Sequence, residues 1–266
     1  LVVSRLLIQC PESDLLALPF RLAAWGIGIR TPCAARVLCI GFLGGFAPAA
    51  SAAAQAVRTG QLTAEEADAL LPACICSGPS FVVLTVGQSL LGSAELGVLL
   101  FASQITANYL TAALLNRFAG VRSVKPGSVA PASPAPPQLD EILADAAITY
   151  CKLCGFILFF RMLAAGAGAL LPAGAGTLCA VLLEVCSGCD LASRTGRWGS
   201  LLCCAALSVQ GLSVLLQVRT ICPPEMTLRP LYRARMLHLP LSLALFYLLL
   251  PGGEADVFST LPARVL

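Results

Sequence analysis

The chain has 266 residues, of which 58% are hydrophobic and only 12% are charged, with a formal net charge of +3. A soluble domain carries about 25% charged residues, so too few charges are present here to cover a water-facing surface, and the small net charge argues against a nucleic-acid partner. Long apolar runs without strict alternation favour an all-α polytopic membrane protein over a membrane barrel.

The chain opens on an apolar run, 1–10, too short to cross a bilayer, which takes about 20 residues. It reads as the tail of a spanning helix and lacks the charged start of a signal peptide. Residues 15–29 are apolar, carry Arg21 and Arg30, and are bracketed by Pro19 and Pro32; they predict a short interfacial or re-entrant segment. A long apolar stretch follows at 34–57, interrupted by Gly41, Gly44, Gly45 and Pro48. In the polar piece 58–71, Thr63 followed by Glu66 forms a capping box, which predicts a helix running from there towards Cys74. Ser77-Gly78-Pro79 breaks the chain again before the apolar run 81–91.

Residues 96–116 form the clearest spanning segment, about 31 Å long as a helix. Arg117, Arg122 and Lys125 follow, and then "KPGSVAPASPAPPQ", which reads as an unstructured proline-rich linker. In the second half, residues 142–163 predict a spanning helix carrying Lys152 and Arg161. Residues 170–189 are interrupted around Cys186-Ser187-Gly188, and residues 198–216 at Gln210-Gly211. A polar connection, 219–235, leads to the last span, 236–250. The organisation is therefore a first membrane repeat (1–118), a cytoplasmic linker (119–138), a second membrane repeat (139–252) and a tail (253–266). The clusters Arg117/Arg122/Lys125 and Arg229/Arg233/Arg235 predict the cytoplasmic side.

The two halves share an order of breaks. Gly78 falls over Gly211 and Ser80 over Ser213, and "CIGFLGGF" falls over "LLEVCSGC". Backbone groups freed inside lipid must be paired, and broken helices in matching positions of two repeats point to a transporter's substrate site. Half-helix N-termini suit carboxylates and other anions. The candidate substrate-binding residues are Gly44, Gly45 and Pro48; Ser77, Gly78, Pro79 and Ser80; Glu184, Ser187 and Gly188; and Gln210, Gly211 and Ser213. Kinks and small-residue packing faces are the competing reading of the glycines.

Glu184 has no charge within five residues on either side. A carboxylate at mid-membrane costs about 2.5–3.5 kcal/mol on insertion scales, so Glu184 reads as a substrate- or proton-coupled group close to the break, with a helix end at the interface as the competing reading. Gln55, Gln88, Gln104, Asn108 and Gln217 suit interhelical hydrogen bonds, and His238 reads as an interfacial histidine beside Arg235. The thirteen cysteines read mostly as small apolar residues. Cys151/Cys154 and Cys186/Cys189 have CxxC spacing, but both pairs lie in or beside apolar segments and do not define a zinc site. No metal or cofactor is expected. The chain has no P-loop, GxSxG or HExxH motif, and no enzymatic activity is expected.

"GFLGGFAP", "TAEEADALL", "CSGPSF", "LLEVCSGC", "QGLSVLLQ" and "YRARMLH" together resemble the sporulation integral membrane protein family known as YlbJ, over nearly the whole chain. That family belongs to a wider group with nucleoside-recognition, or Gate, domains. The resemblance implies a transporter of a small organic anion in a bacterial cell membrane. It further implies dipicolinic acid as the substrate, carried from the mother cell across the outer forespore membrane during endospore formation. Cys76 stands where the family has Asn, Cys186-Ser187 where it has Thr-Asn, and Leu215 where it has His. A non-transporting sporulation scaffold, and a nucleoside or metal-ion transporter, are the alternatives; a homo-oligomer is left open.

Overall fold

The computed structural model describes residues 1–9, 13–120 and 139–250. The molecule is an all-α polytopic membrane protein: among the described residues there are thirteen α-helices, one π-helix and one 3-10 turn, and no strand. Three helical stretches, Ala94–Ala119, Leu139–Leu170 and Gly196–Ile221, are long and apolar enough to cross a membrane. The linker 119–138 beyond residue 120, and the tail 253–266, lie outside the described residues.

Short helices α1 (Val2–Gln9), α2 (Ser13–Leu16) and α3 (Leu18–Gly26) precede α4 (Pro32–Gly44) and α5 (Phe46–Arg58). The apolar stretch at 34–57 does not run on as a kinked span: it folds back on itself. A Cβ on Gly41 would lie 3.2 Å from the Ala49 Cβ, whereas residues eight apart in a continuous helix are about 12 Å apart. Gly45, with φ 81°, makes the reversal.

Helix α6 (Ala64–Cys74) starts as its capping box dictates. Thr63 Oγ1 accepts from the Glu66 amide at 3.1 Å, and Glu66 Oε2 accepts from the Thr63 amide at 3.2 Å. After a non-helical stretch at 75–78, the chain resumes as the π-helix Ser80–Leu90. Its wider turn brings Gly87 against Gly97 of α7 (Ala94–Ala119), where a Cβ on Gly87 would sit 2.4 Å from the Gly97 Cα. Helix α7 runs antiparallel to the whole broken segment. Asn116 Nδ2 donates to the Ala69 carbonyl at 3.1 Å, Asn108 Nδ2 to the Ile75 carbonyl at 3.3 Å, and Gly97 packs on Val83.

The second half also holds a helical hairpin and a broken segment. Helix α8 (Leu139–Leu170) leads into a hairpin of α9 (Ala173–Leu183) and α10 (Val185–Ser193). A Cβ on Gly188 would sit 2.8 Å from the Val181 Cα, where a continuous helix would give about 10 Å. Helices α11 (Gly199–Val209) and α12 (Gly211–Ile221) follow, joined at Gln210, and then α13 (Arg229–Leu249). Helix α13 runs parallel to α6 and antiparallel to α11: Leu228 N donates to Asp68, Arg235 to the Ile75 carbonyl, and Cys204 Sγ to the Ser242 carbonyl. The two hairpins therefore enter from opposite ends. Arg58, Arg117, Arg229 and Arg233 share the end where α6 and α13 begin.

Two boundaries differ from the sequence reading. The interruption in 170–189 falls at Glu184 (φ −152°, ψ 126°), and Cys186, Ser187 and Gly188 are helical, because the Glu184 side chain itself caps α10. The last helix begins at Arg229 rather than Met236, since Pro230 in its first turn needs no N–H partner. Arg235 and His238 are consequently buried within the bundle, at 7% and 1% exposure, and are not loop or interfacial residues.

One side chain joins the two halves through their loops. Asp68, buried on α6, accepts from Thr227 N at 2.8 Å, Thr227 Oγ1 at 2.7 Å and Leu228 N at 3.1 Å. Asp68→Ala leaves two backbone amides unpaired and should cost on the order of 3 kcal/mol, against about 1 kcal/mol for removing the Thr63 cap by Thr63→Ala. Thermal unfolding in detergent should show the larger loss for Asp68→Ala; equal losses would contradict this role.

Candidate functional site

Each hairpin tip is pressed against one broken segment. At the first crossing, Gly45 meets Gly78: a Cβ on Gly45 would lie 2.7 Å from the Gly78 amide nitrogen and 3.2 Å from the Cys76 carbonyl oxygen. Both the positive φ and the close backbone approach require glycine there. Cys76 Sγ donates to the Gly41 carbonyl at 3.7 Å, so this thiol ties the break to the hairpin. Ser77 is buried, Gly78 and Pro79 are half-buried, and Ser80 is exposed. Gly44 meets Gly78 here through its backbone, since a Cβ on Gly78 would lie 3.5 Å from the Gly44 carbonyl oxygen, and Pro48 packs against Gly44. Gly44 and Pro48 also line an apolar cleft of about 490 Å³ with Leu7, Phe20 and Phe42.

At the second crossing, Gly211 (φ 69°) meets the α9/α10 tip, and a Cβ on it would sit 2.9 Å from the Glu184 amide nitrogen. Gln210 caps α11 in the left-handed region, with φ 62°. Glu184 is 1% exposed, and its carboxylate accepts from Cys186 N at 2.8 Å, Ser187 N at 2.7 Å and Ser187 Oγ at 3.0 Å. The α10 N-terminus, an anion position by its dipole and free amides, is thus filled by this chain's own carboxylate. Ser187 is committed to that cap. Gly188 serves the close packing of α10 on α9, and Ser213 accepts from Gln217 Nε2 at 2.8 Å.

What joins the crossings is a residue the sequence reading assigned to a polar loop. The Arg235 guanidinium donates to the Ile75 carbonyl at 2.8 Å, to Asn108 Oδ1 at 3.3 Å and to the Ser208 carbonyl at 3.4 Å. Ile75 ends α6 and Ser208 lies in the last turn of α11, so the cation sits at two helix C-termini, where the dipole favours it. Asn108 and Gln210 also donate to the Ile75 carbonyl, at 3.3 and 3.4 Å. Among the described residues Arg235 has no carboxylate partner. The signal that could have found it is Pro230, which sets the helix start and places Arg235 and His238 three apart on one face.

Several buried polar atoms on these elements have no partner among the described residues: Arg235 Nε, His238 Nδ1, Gln210 Oε1, Gln217 Oε1 and Thr111 Oγ1. Native interiors leave few such atoms, so their concentration on the helices that meet at the breaks marks a polar centre. His238 Nε2 donates to the Gln104 carbonyl at 3.2 Å, which leaves Nδ1 as an acceptor. Gln104 Nε2 reaches Ser208 Oγ at 3.0 Å, and Ser208 bonds Ser242. No group of three or more His, Cys, Asp or Glu side chains among the described residues is arranged to hold a metal ion. No protein-family model, curated protein or solved structure matches the chain.

Gly211→Ala should destabilise the protein by roughly 1–3 kcal/mol, through positive-φ strain and the clash with Glu184 N. Gly155→Ala, in α8 with nothing within 4 Å, should be neutral or gain up to about 1 kcal/mol. Thermal unfolding of the two variants side by side checks this, and equal melting temperatures would contradict it.

Proposed function

We propose that this chain is a membrane transporter of a small organic anion, built as two inverted repeats whose hairpins and broken helices enclose the substrate path. The observation that carries the reading is Arg235: a buried cation, held by helix C-termini and neutral oxygens, with no carboxylate partner and no partner for Nε among the described residues. A lone charge inside a membrane protein is costly and marks a functional site, and its sign calls for an anion. Glu184, already neutralised by the α10 N-terminus, supports the architecture and leaves the positive charge uncompensated. Backbone breaks at Gly45, 75–78, Glu184 and Gln210 provide the flexible elements that alternating access requires.

The resemblance to the sporulation YlbJ family makes dipicolinic acid the specific substrate proposed, exported from the mother cell to the forespore. The end bearing Arg58, Arg117, Arg229 and Arg233 is then cytoplasmic. One observation favours a second reading, a non-transporting scaffold: both crossings are packed to backbone contact, as a purely structural junction would be.

Flux of pyridine-2,6-dicarboxylate into liposomes containing the purified protein separates the two. The transporter reading expects saturable uptake, lowered at least about tenfold by Arg235→Gln and by Ser80→Leu, since a hydrogen bond to a charged group is worth about 1.5–3 kcal/mol. Size-exclusion profiles show whether the variants remain folded. Ser80 is exposed, so its variant tests the path even if Arg235→Gln does not fold. Absence of uptake by the wild-type protein would favour the scaffold.

A further inference from the structure

Away from the two crossings, α1, α5, α8 and α12 enclose a polar cavity of about 170 Å³. Water occupies about 30 Å³ per molecule in the liquid, so the space matches a handful of waters or one compact polar group. Three cationic side chains line it, Arg5 on α1, Arg58 on α5 and Lys152 on α8, against one carboxylate, Asp145. Arg5 is buried and already committed: its Nη1 pairs with Asp145 at 3.0 Å and its Nε donates to Ser51 Oγ at 3.2 Å. That pair leaves two positive charges. Arg58 and Lys152 are both exposed, and neither has a hydrogen-bond or ion-pair partner among the described residues.

The free donors are therefore the Arg58 fork, the Lys152 ammonium and the Ser51 hydroxyl proton. A planar guanidinium beside an ammonium is the donor set that carboxylate and phosphate groups bind best. Arg58 also lies in the last turn of α5, where the helix dipole holds it in place as a cation. The Arg5–Asp145 pair and the Arg5–Ser51 bond fix the floor of the cavity from three elements at once.

We propose that this cavity is a binding site for a compact oxyanion, presenting carboxylate or phosphate oxygens to Arg58 and Lys152. Such a group comes either from a free anion entering between α5 and α8 or from the headgroup of an anionic phospholipid. The site is independent of whether the protein transports, and its test involves no flux.

The full chain is reconstituted in phosphatidylcholine nanodiscs and titrated calorimetrically with pyridine-2,6-dicarboxylate and with inorganic phosphate. A parallel sample in nanodiscs containing phosphatidylglycerol is examined by native mass spectrometry for retained lipid. Arg58→Gln and Lys152→Gln should each weaken the interaction about tenfold, while Arg58→Lys preserves most of it. Melting temperatures should be unchanged, because neither residue has a partner to lose. Weakened titration by the soluble anions identifies a free anion; loss of retained phosphatidylglycerol alone identifies a lipid headgroup; either result supports the oxyanion site. Wild-type affinity and wild-type lipid retention in both Gln variants, or no anion held by the wild-type protein in either arm, would overturn it.

Discussion

The Ile75 carbonyl is where the molecule resolves its main physical difficulty. A helix that stops inside a membrane protein leaves carbonyls at its C-terminus, and lipid offers them nothing. Here one such oxygen accepts from Arg235, Asn108 and Gln210, which come from α13, α7 and the α11/α12 junction. Three elements distant in sequence thus converge on the end of a fourth. The same guanidinium reaches Ser208 near the end of α11, so one cation serves both broken segments. The charge that makes Arg235 costly to bury is what makes it effective there, because two helix C-termini face it with partial negative charge.

The two crossings solve the same problem by different chemistry. At Gly45 and Gly78 the absence of side chains lets two backbones meet, and no side chain caps α5. At Glu184 a carboxylate turns back on its own helix and satisfies two amides of α10, while Gly211 supplies the close approach from the other side. One half of the molecule therefore presents an uncapped helix start, and the other a start already occupied by charge. In the transporter reading, this asymmetry together with the unpaired Arg235 assigns the anion to the first half's side of the junction. The Arg5/Arg58/Lys152 cavity is on α5 and α8, beyond the hairpin tip, and adds positive charge on the end where α6 and α13 begin.

Much of the element order was legible in the sequence because it rests on local chemistry. The Thr63/Glu66 box marks a helix start through bonds made within four residues. The 96–116 run exposes its length directly, and Gln210-Gly211 interrupts an apolar run where the chain does break. Three features were not legible. Glycine spacing in 34–57 cannot distinguish a kink from a reversal, since both need small residues; only the packing of Ala49 beside Gly41 decides. The break at Glu184 was displaced towards Ser187-Gly188 because glycine signals flexibility in sequence, whereas here glycine packs and the glutamate caps. Arg235 reads as one of a loop's charges until Pro230 is seen to start the helix early, and its partners, Ile75 and Asn108, lie more than a hundred residues away.

The central claim is that one buried guanidinium holds both broken segments closed. Hydrogen exchange of the backbone amides around 75–80 and 208–212, compared between the wild-type protein and Arg235→Met in nanodiscs, tests it most directly. The account predicts faster exchange at both stretches in the variant, with the remainder of α7 and α8 unchanged. Exchange that accelerates at neither stretch, or at one alone, would contradict it.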